Sequence, residues 1–524
     1  MQKWEPAILS LTGALLLWAA WPSSPLTFLI FIAFIPLLRL TEIVDSRKKY
    51  YGSMFLCLFV WNVATTWWVG NTTVPISGVA ANLINTSVMT VPLMGYHRAR
   101  KRMSKTAAYL ALMAYWVTTE YVHSNWEFSF PWLSLGNAFA LFPSWIQWYE
   151  YTGVSGGTVW ILLANISIYE VWKQRNKYAA WKPAAIIIIP LLLSALITFR
   201  FKTPEGRSTE VVIVQPNIDP YDKFADDNSR AQVDKLLQLS KQKTDSQTAY
   251  IIWPETALFP RGAWENKLSY EAEVSDIRTF LTQYPKAVLV TGATTLKHYS
   301  AQDELPYTAR TIDESNSFDA FNSAIQIDTS TAVQIYHKYK LVPGVEMVPY
   351  ARYMTFMKYV ALDMGGITGS YGRTAGSDLL EDTRTHTKVS AAICYESIYG
   401  EYVAEHVRKG ANLIFIVTND GWWGNTEGHR QHLQYARLRA IETRRWIARS
   451  ANTGISCIID PMGKIQQPLP YWQEGVIKGN VTPATVITFY VKYGDLISRA
   501  AAGFCILLLS FSFYLKFRSR SASN

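Results

Sequence analysis

The sequence predicts a multispan α-helical membrane domain joined to a layered α/β domain. The first observation behind this prediction is a sharp division in composition. Residues 1–200 and 496–515 are strongly apolar, whereas residues 205–490 have the composition of an ordinary soluble domain. The second is the pattern within residues 205–490, where short β-rich runs alternate with polar helical stretches, as in proteins that layer helices on buried strands.

The apolar segments are long enough to cross a bilayer about eight times, since a spanning helix needs about 20 residues. The first segment leads through Trp21-Pro22 into another apolar stretch without a small-residue cleavage site, so we expect it to be retained and not removed as a signal peptide. The segments occupy residues 6–21, 26–40, 51–69, 75–95, 107–122, 152–172, 183–199 and 496–515.

The net charge of +10 fits membrane topology better than nucleic-acid binding. If the N-terminus is cytoplasmic, the predicted spans place every basic cluster on the cytoplasmic side, as the positive-inside rule requires. The same topology places residues 200–495 on the opposite face. We therefore expect no nucleic-acid partner. The clusters are Arg47-Lys48-Lys49, His97 to Lys105, Lys173 to Lys177 and Lys516 to Arg520.

The α/β region shows its alternation in short elements. A glycine-rich segment, 351–381, is predicted to be a mobile loop near the functional site. Helices are predicted near 229–246, 272–283, 398–409 and 428–449. Strands are predicted at Val211–Val214, Tyr250–Trp253, Ala287–Thr291, Ser323–Ile327, Val333–Tyr336, Val389–Ile393, Leu413–Val417, Ile455–Ile459 and Gly475–Asn480.

Three predicted strands end in a chemically active side chain. Ile251 and Ile252 lead to the carboxylate of Glu255, a second run leads to the ammonium of Lys338, and a third to the thiol of Cys394. Strand ends are where α/β proteins place functional groups. A thiol needs a base or a nearby cation to become a nucleophilic thiolate, so this set predicts nucleophilic acyl transfer.

The cysteine pattern favours a nucleophile at Cys394. The four cysteines show neither paired spacing nor a metal-binding pattern, and Cys457 lies in a strand-like run typical of the core. The alternative for Cys394 is a buried structural thiol. His429 and His432 stand three residues apart without a supporting ligand cluster, so we expect a packed or solvated helix there, no metal and no cofactor.

Four motifs in this chain order resemble the nitrilase (carbon–nitrogen hydrolase) superfamily and, within it, the bacterial apolipoprotein N-acyltransferases. The motifs are Trp253-Pro254-Glu255, Lys338 through Leu341-Val342-Pro343 to Glu346, Cys394-Tyr395-Glu396 and Thr418-Asn419-Asp420-Gly421-Trp422. The resemblance covers nearly the whole chain. It implies a nitrilase-like α-β-β-α sandwich for residues 205–490, a helical bundle of about seven spans for residues 1–200, and a C-terminal spanning helix at 496–515.

The resemblance also implies the roles of the catalytic residues. Glu255 is expected to be the general base, Lys338 the partner of the oxyanion and Cys394 the nucleophile. Lys340 is the rival of Lys338, which is preferred because it has the family's spacing before Leu341-Val342-Pro343. The second carboxylate is Glu346, although the family's usual Pro-Phe-Gly-Glu is replaced here by Pro-Gly-Val-Glu.

Further residues are implied in supporting and substrate-binding roles. Backbone N–H groups at Tyr395 and Glu396 are expected to add to the oxyanion hole, with Glu396 as a structural anchor. Phe224, Asn322 and Trp422 match positions that line the substrate cleft, and the alternative for these three is ordinary loop and core packing. At Phe224 the family often has Trp, so the aromatic wall is kept without its N–H.

The implied function is transfer of a fatty acyl chain from a phospholipid, through a thioester on Cys394, to the amine of a diacylglyceryl-cysteine lipoprotein. The implied setting is the bacterial inner membrane, with a monomer among membrane lipids and residues 205–490 on the periplasmic side. Two alternatives remain open. One is a membrane-tethered amidase or nitrilase that uses the same residues with water, and the other is a non-catalytic transporter or scaffold.

The charge pattern generates a test of topology. A reporter enzyme that is active only outside the cytoplasm should be active when it is fused after Pro204, and silent when it is fused after Lys105 or at Asn524. The reason is that all four basic clusters share one face only if an odd number of spans precedes residue 200 and one span follows residue 495. Silence after Pro204 would instead place Cys394 in the cytoplasm.

Overall fold

The computed structural model describes residues 3–71, 76–175, 177–203, 206–220, 229–353, 370–374 and 379–521. The chain divides into two compact units. The helical unit comprises Met1–Trp67, Val79–Arg200 and Tyr493–Asn524, and the α/β unit comprises Trp68–Gly78 and Phe201–Lys492.

The helices follow the apolar segments in the first part of the chain and the polar periodic segments in the second. The first seven are α1 (Glu5–Ala19), α2 (Ile35–Ile43), α3 (Arg47–Thr66), α4 (Ile76–Arg100), α5 (Lys105–His123), α6 (Tyr149–Gln174) and α7 (Trp181–Arg200). The remainder are α8 (Ser229–Lys241), α9 (Ala272–Thr282), α10 (Gly400–Arg408), α11 (Glu427–Thr443), α12 (Phe489–Tyr493) and α13 (Leu496–Ser521).

The helical unit has the composition of a membrane domain. Among the described residues, three helices are long and apolar enough to cross a bilayer, namely Arg47–Gly70, Tyr149–Gln174 and Trp181–Arg200, and shorter apolar helices occupy Glu5–Ala19 and Leu496–Ser510. The predicted span at 26–40 is not one helix. It forms a 3-10 helix followed by α2, because Pro36 stands in the first turn of α2, where a residue without an N–H favours a helix start. The number of spans stays a prediction.

One carboxylate inside the helical unit has several hydrogen-bond donors. The carboxylate of Glu120 on α5 accepts hydrogen bonds from Trp116 Nε1, from Thr158 Oγ1 and from the backbone N–H of Leu135, each at 2.8 Å. A charged group without such partners is costly in an apolar interior, so these contacts hold α5, α6 and the segment around Leu135 in one arrangement.

The α/β unit contains two sheets. Its strands are β1 (Thr209–Gln215), β2 (Thr248–Ile252), β3 (Leu258–Trp264), β4 (Val288–Ser300), β5 (Arg310–Thr311), β6 (Asn316–Ile327), β7 (Val333–His337), β8 (Leu380–Asp382), β9 (Thr387–Ile393), β10 (Leu413–Thr418), β11 (Ile447–Ala451), β12 (Cys457–Ile459), β13 (Ile465–Gln466) and β14 (Gly475–Val481). The first sheet has the order β14-β1-β2-β4-β6-β5, with β3 on β4 and β7 on β6, and the second has the order β13-β12-β11-β10-β9-β8.

The two sheets pack face to face between layers of helices. Along β1, Val211 and Ile213 point into the core between the sheets, where they meet residues of β9 and β10 such as Ile393. Val212 and Val214 point to the opposite face, where α8 and α9 cover the first sheet. The outer face of the second sheet is covered by α10 and α11. This alternation along buried strands produces four layers, and the predicted α-β-β-α sandwich is confirmed.

Some predicted elements differ from the structure. The helix predicted at 428–449 ends at Thr443, because Arg444 adopts a left-handed backbone conformation with φ of 52°, and residues 447–451 form β11. The strands β3, β5, β8, β11 and β13 were not predicted. Most of the glycine-rich segment 351–381 lies outside the described residues.

Candidate active site

Cys394 lies where β9 ends and a 3-10 helix, Cys394–Ile398, begins. Its backbone is left-handed, with φ of 48°, a conformation that is uncommon for any residue other than glycine. A sharp turn from strand to helix projects the first side chain away from both elements, as in the nucleophile turns of α/β-hydrolases. Cys394 as a whole residue is half-buried.

Glu255 follows β2 in the other sheet and is 7% exposed. Its Oε1 accepts a hydrogen bond from Asn322 Nδ2 at 2.8 Å, and its Oε2 accepts one from the backbone N–H of Asn419 at 3.1 Å. The chain beside it is tightly packed. A Cβ at Gly292 would lie 2.4 Å from the backbone nitrogen of Thr256, so only glycine fits at that position of β4.

Lys338 comes directly after β7 and is 1% exposed. Its backbone N–H donates to the Asn322 carbonyl at 2.8 Å, which extends the pairing of β7 with β6 by one residue. Its Nζ donates to Glu346 Oε1 at 2.7 Å and to Glu255 Oε1 at 3.3 Å. Burial alone would lower the pKa of Lys338, but the two carboxylates outweigh it and raise this pKa, so the ammonium stays charged.

Glu346 and Asn322 complete this cluster. Glu346 Oε2 accepts a hydrogen bond from the backbone N–H of Val342 at 2.8 Å, so the carboxylate also fixes its own turn. Asn322 Nδ2 donates to Glu346 Oε1 at 2.9 Å as well as to Glu255. The amide nitrogen of Asn322 thus bridges the two carboxylates, and the place in the substrate cleft that the resemblance implies for this residue stays a prediction.

Glu396 connects the turn of the thiol to the strand of the lysine. It is fully buried, and its Oε2 accepts hydrogen bonds from Tyr336 Oη at 2.7 Å and from the backbone N–H of Ile393 at 2.9 Å. Its Oε1 accepts from the N–H groups of Tyr339 at 2.8 Å and Lys340 at 3.2 Å. Burial raises the pKa of Glu396, and these donors oppose that rise.

Lys340 does not join the carboxylates. Its ammonium lies over the ring of Tyr399, 4.8 Å from the ring centroid. Burial lowers the pKa of Lys340, and the charge of Arg373 lowers it further. The structure thus brings Lys338, and not its rival, to Glu255 and Glu346.

The thiol of Cys394 is held in its neutral form. Burial raises its pKa well above the ordinary value, the carboxylate of Glu255 raises it further, and the ammonium of Lys338 opposes both effects. A thiol is a weak nucleophile until it loses its proton. A nucleophilic role for Cys394 would therefore require loss of this proton, and Glu255 is a carboxylate whose charge acts on the thiol.

Comparison with known proteins identifies the family of this chain. Residues 211–490, more than half of the chain, match the family model described as carbon-nitrogen hydrolase. This chain belongs to the carbon–nitrogen hydrolase family. Residues 13–167 match a second model, described as the apolipoprotein N-acyltransferase N-terminal domain.

Relatives of known name cover both regions of this carbon–nitrogen hydrolase. The apolipoprotein N-acyltransferase of Chlorobaculum tepidum is 29% identical over 520 residues, which is 95% of each chain. That of Geobacter metallireducens is 26% identical and covers 84% of this chain and 81% of its own. Among solved structures, Saccharomyces cerevisiae Nit3 is 16% identical, with a TM-score of 0.37 over 56% of this chain and 97% of its own. The family predicted from the four motifs is confirmed.

Three predicted residues remain to be located, namely Tyr395, Trp422 and Phe224. Tyr395 is buried, with its ring 5.4 Å from that of Tyr399. Trp422 is half-buried in the 3-10 helix Asp420–Trp423. This turn is braced by Asn71, whose Nδ2 donates to the Trp423 carbonyl at 3.0 Å. Phe224 lies outside the described residues.

The sequence did not predict a buried group that contacts the carbonyl oxygen of Cys394, formed by Ser397, Asp420, His432 and Arg449. Asp420 belongs to one of the quoted motifs, but the sequence predicted only a packed or solvated helix around His432, without a functional partner. Within the described ranges, no cluster of three or more His, Cys, Asp or Glu side chains could hold a metal ion. The available signal was the pairing of a motif aspartate with a histidine on the next helix.

The different roles expected for Lys338 and Lys340 can be tested by single-turnover acylation of Cys394 with a p-nitrophenyl ester. Lys338→Met should slow release of p-nitrophenolate by about a hundredfold or more, because loss of one oxyanion partner typically costs that much. Lys340→Met is the matched control and should be nearly silent. A large effect at Lys340 with none at Lys338 would contradict the assignment.

The raised pKa of the thiol generates a test at Glu255. Glu255→Gln removes the carboxylate charge that raises the pKa of Cys394. The pKa should therefore fall, so that the pH profile of Cys394 alkylation by iodoacetamide shifts to lower pH, while acylation by the ester slows. Cys394→Ala supplies the blank for other thiols, and Lys338→Met should shift the profile to higher pH. An unshifted profile for Glu255→Gln would show that this carboxylate does not act on the thiol.

Proposed function

We propose that this protein transfers an acyl chain from a phospholipid to the N-terminal amine of a diacylglyceryl-cysteine lipoprotein, through a thioester on Cys394. Its relatives over nearly the whole chain are apolipoprotein N-acyltransferases, and the protein is an acyltransferase of that class. The observation that supports this proposal most directly is that Glu255, Lys338 and Cys394 lie in one site. The same chain also matches the acyltransferase N-terminal domain.

The first half-reaction forms the thioester. The sulfur of Cys394 attacks the carbonyl carbon of a phospholipid ester as its proton passes to Glu255. The carbonyl oxygen becomes an oxyanion, and the buried ammonium of Lys338 stabilises it. The C–O bond then breaks, and Glu255 returns the proton to the departing oxygen. The products are a lysophospholipid and an acyl-enzyme.

The second half-reaction transfers the acyl chain. The amine of the lipoprotein attacks the thioester carbon, Glu255 accepts a proton from the nitrogen, and Lys338 again faces the oxyanion. The C–S bond breaks, and the sulfur takes the proton back from Glu255. An amide leaves and the neutral thiol is restored, which agrees with the direction in which the site shifts the pKa of Cys394.

The proposed setting follows from the substrates and the charge pattern. Both substrates carry acyl chains that stay in a bilayer, so a membrane-anchored enzyme suits them. The positions of the basic clusters support a bacterial inner-membrane location with the α/β unit on the periplasmic side. Phospholipid donor, lipoprotein acceptor and surrounding membrane lipids are the proposed partners of a monomer.

Intact-protein mass spectrometry tests the two-step scheme. Incubation of the purified protein with a phospholipid of defined acyl chains should add one acyl mass to wild type and none to Cys394→Ala. Cys457→Ala is the control, because Cys457 is fully buried in β12 and takes no part in the scheme.

A second addition separates the proposed function from its rival. A diacylglyceryl-cysteine peptide should remove the acyl mass from Cys394 and carry it as an amide. A membrane-tethered amidase would release free fatty acid to water whether or not the peptide is present. Product formed by Cys394→Ala at the wild-type rate would overturn the thioester scheme.

A further inference from the structure

The carbonyl oxygen of Cys394 is held by two buried side chains from different elements. Ser397 Oγ, in the same 3-10 helix, donates to this oxygen at 2.8 Å. His432 Nε2, on α11, lies 3.1 Å from the same oxygen and 2.9 Å from Ser397 Oγ. Neither side chain takes part in the two half-reactions, yet both contact the main chain of the nucleophile.

His432 is itself held in place by the buried carboxylate of Asp420. Its Nδ1 lies 2.9 Å from Asp420 Oδ1, which also accepts a hydrogen bond from Thr418 Oγ1 at 2.7 Å. Arg449 Nη2 donates to the other oxygen of Asp420 at 2.5 Å. Burial would raise the pKa of Asp420, but the charges of Arg449 and His432 outweigh it and hold this pKa far below its usual range. Asp420 is therefore an acceptor only.

The two ring nitrogens of His432 face different partners. Nδ1 lies between Asp420 Oδ1 at 2.9 Å and Arg449 Nη2 at 3.2 Å, and Nε2 is the nitrogen that faces Ser397 and the Cys394 carbonyl. Asp420, His432 and Arg449 are all fully buried. Partners buried this completely hold one geometry, because each loses its hydrogen bonds if it moves.

A fixed carbonyl also fixes the N–H that follows it. The Cys394–Tyr395 peptide is planar and trans, so its C=O and the N–H of Tyr395 point in opposite directions within one plane. The left-handed backbone of Cys394 is a strained conformation that the surroundings must maintain. In nucleophile turns, the N–H of the residue after the nucleophile is a typical oxyanion donor.

We propose that His432, held by Asp420, is a positioning residue that acts with Ser397 to set the Cys394–Tyr395 peptide, so that the Tyr395 N–H faces the oxyanion together with Lys338. This inference rests on the proposed acyl-transfer function and adds to it the side chains that build the second oxyanion donor. His432 touches the main chain of the nucleophile and not the substrate.

Two reactions of the same thiol separate positioning from general packing. Acylation by a p-nitrophenyl ester passes through a tetrahedral oxyanion, whereas alkylation by iodoacetamide does not. His432→Leu and Ser397→Ala should slow acylation by about tenfold to a hundredfold, in line with partial loss of one oxyanion donor. Alkylation of Cys394 should be unchanged within error. His432→Gln should recover part of the acylation rate, because its amide nitrogen can replace Nε2.

A second buried histidine provides the matched control. His406 on α10 pairs with Ser390 Oγ at 2.7 Å and makes no contact with the turn of Cys394 among the described hydrogen bonds. His406→Leu should lower thermal stability as His432→Leu does, but leave the ratio of acylation to alkylation unchanged.

The outcomes are separable. If the His432 and Ser397 variants slow both reactions equally, or neither, these residues are structural only and the inference fails. If wild type itself shows no acylation by ester or phospholipid while alkylation proceeds, the proposed function fails instead. A selective loss of acylation, partly recovered by His432→Gln, supports the positioning role.

Discussion

The active site depends on one buried ammonium held between two carboxylates. Moving an ion out of water costs several kcal/mol, and only close partners of opposite charge offset that cost. Lys338 finds them in Glu255 and Glu346, and Asn322 donates to both carboxylates. Loss of one partner from such a cluster leaves an uncompensated buried charge, at a typical cost of about 3–5 kcal/mol. Folding of the unit and assembly of the site are therefore coupled.

The same cluster sets the resting state of the nucleophile. Burial raises the pKa of the Cys394 thiol, the charge of Glu255 raises it further, and the ammonium of Lys338 only partly opposes them, so the thiol stays protonated. A protonated thiol reacts slowly with oxidants as well as with esters. A nucleophile that loses its proton only during attack therefore suits an unpaired cysteine outside the cytoplasm, the location proposed for this unit.

Local patterns were enough to predict the strands that end in Glu255, Lys338 and Cys394, but not which lysine enters the site. The structure gives the physical reason for the difference between the two lysines. The N–H of Lys338 pairs with β6, whereas the ammonium of Lys340 lies over the ring of Tyr399. The support of His432 could not be predicted in this way. His432 contacts Arg449, which lies 17 residues further along the chain, in β11. That strand was not predicted, because the helical pattern of the sequence continues past Arg444, where the helix has already ended.

The strand arrangement explains why these residues meet. In the second sheet, β9, β10 and β11 run parallel, so Cys394 and Asn419 emerge at one edge. Glu255 emerges from the first sheet, and the N–H of Asn419 donates to it across the sandwich. Carboxyl ends of parallel strands form the usual binding crevice of α/β folds. The sandwich thus fixes the thiol, the carboxylate and the ammonium, but a thioester reacts with water or with an amine. Whether such a site hydrolyses or transfers depends on the segments that cover this edge and on how well they exclude water, which the catalytic residues alone do not determine.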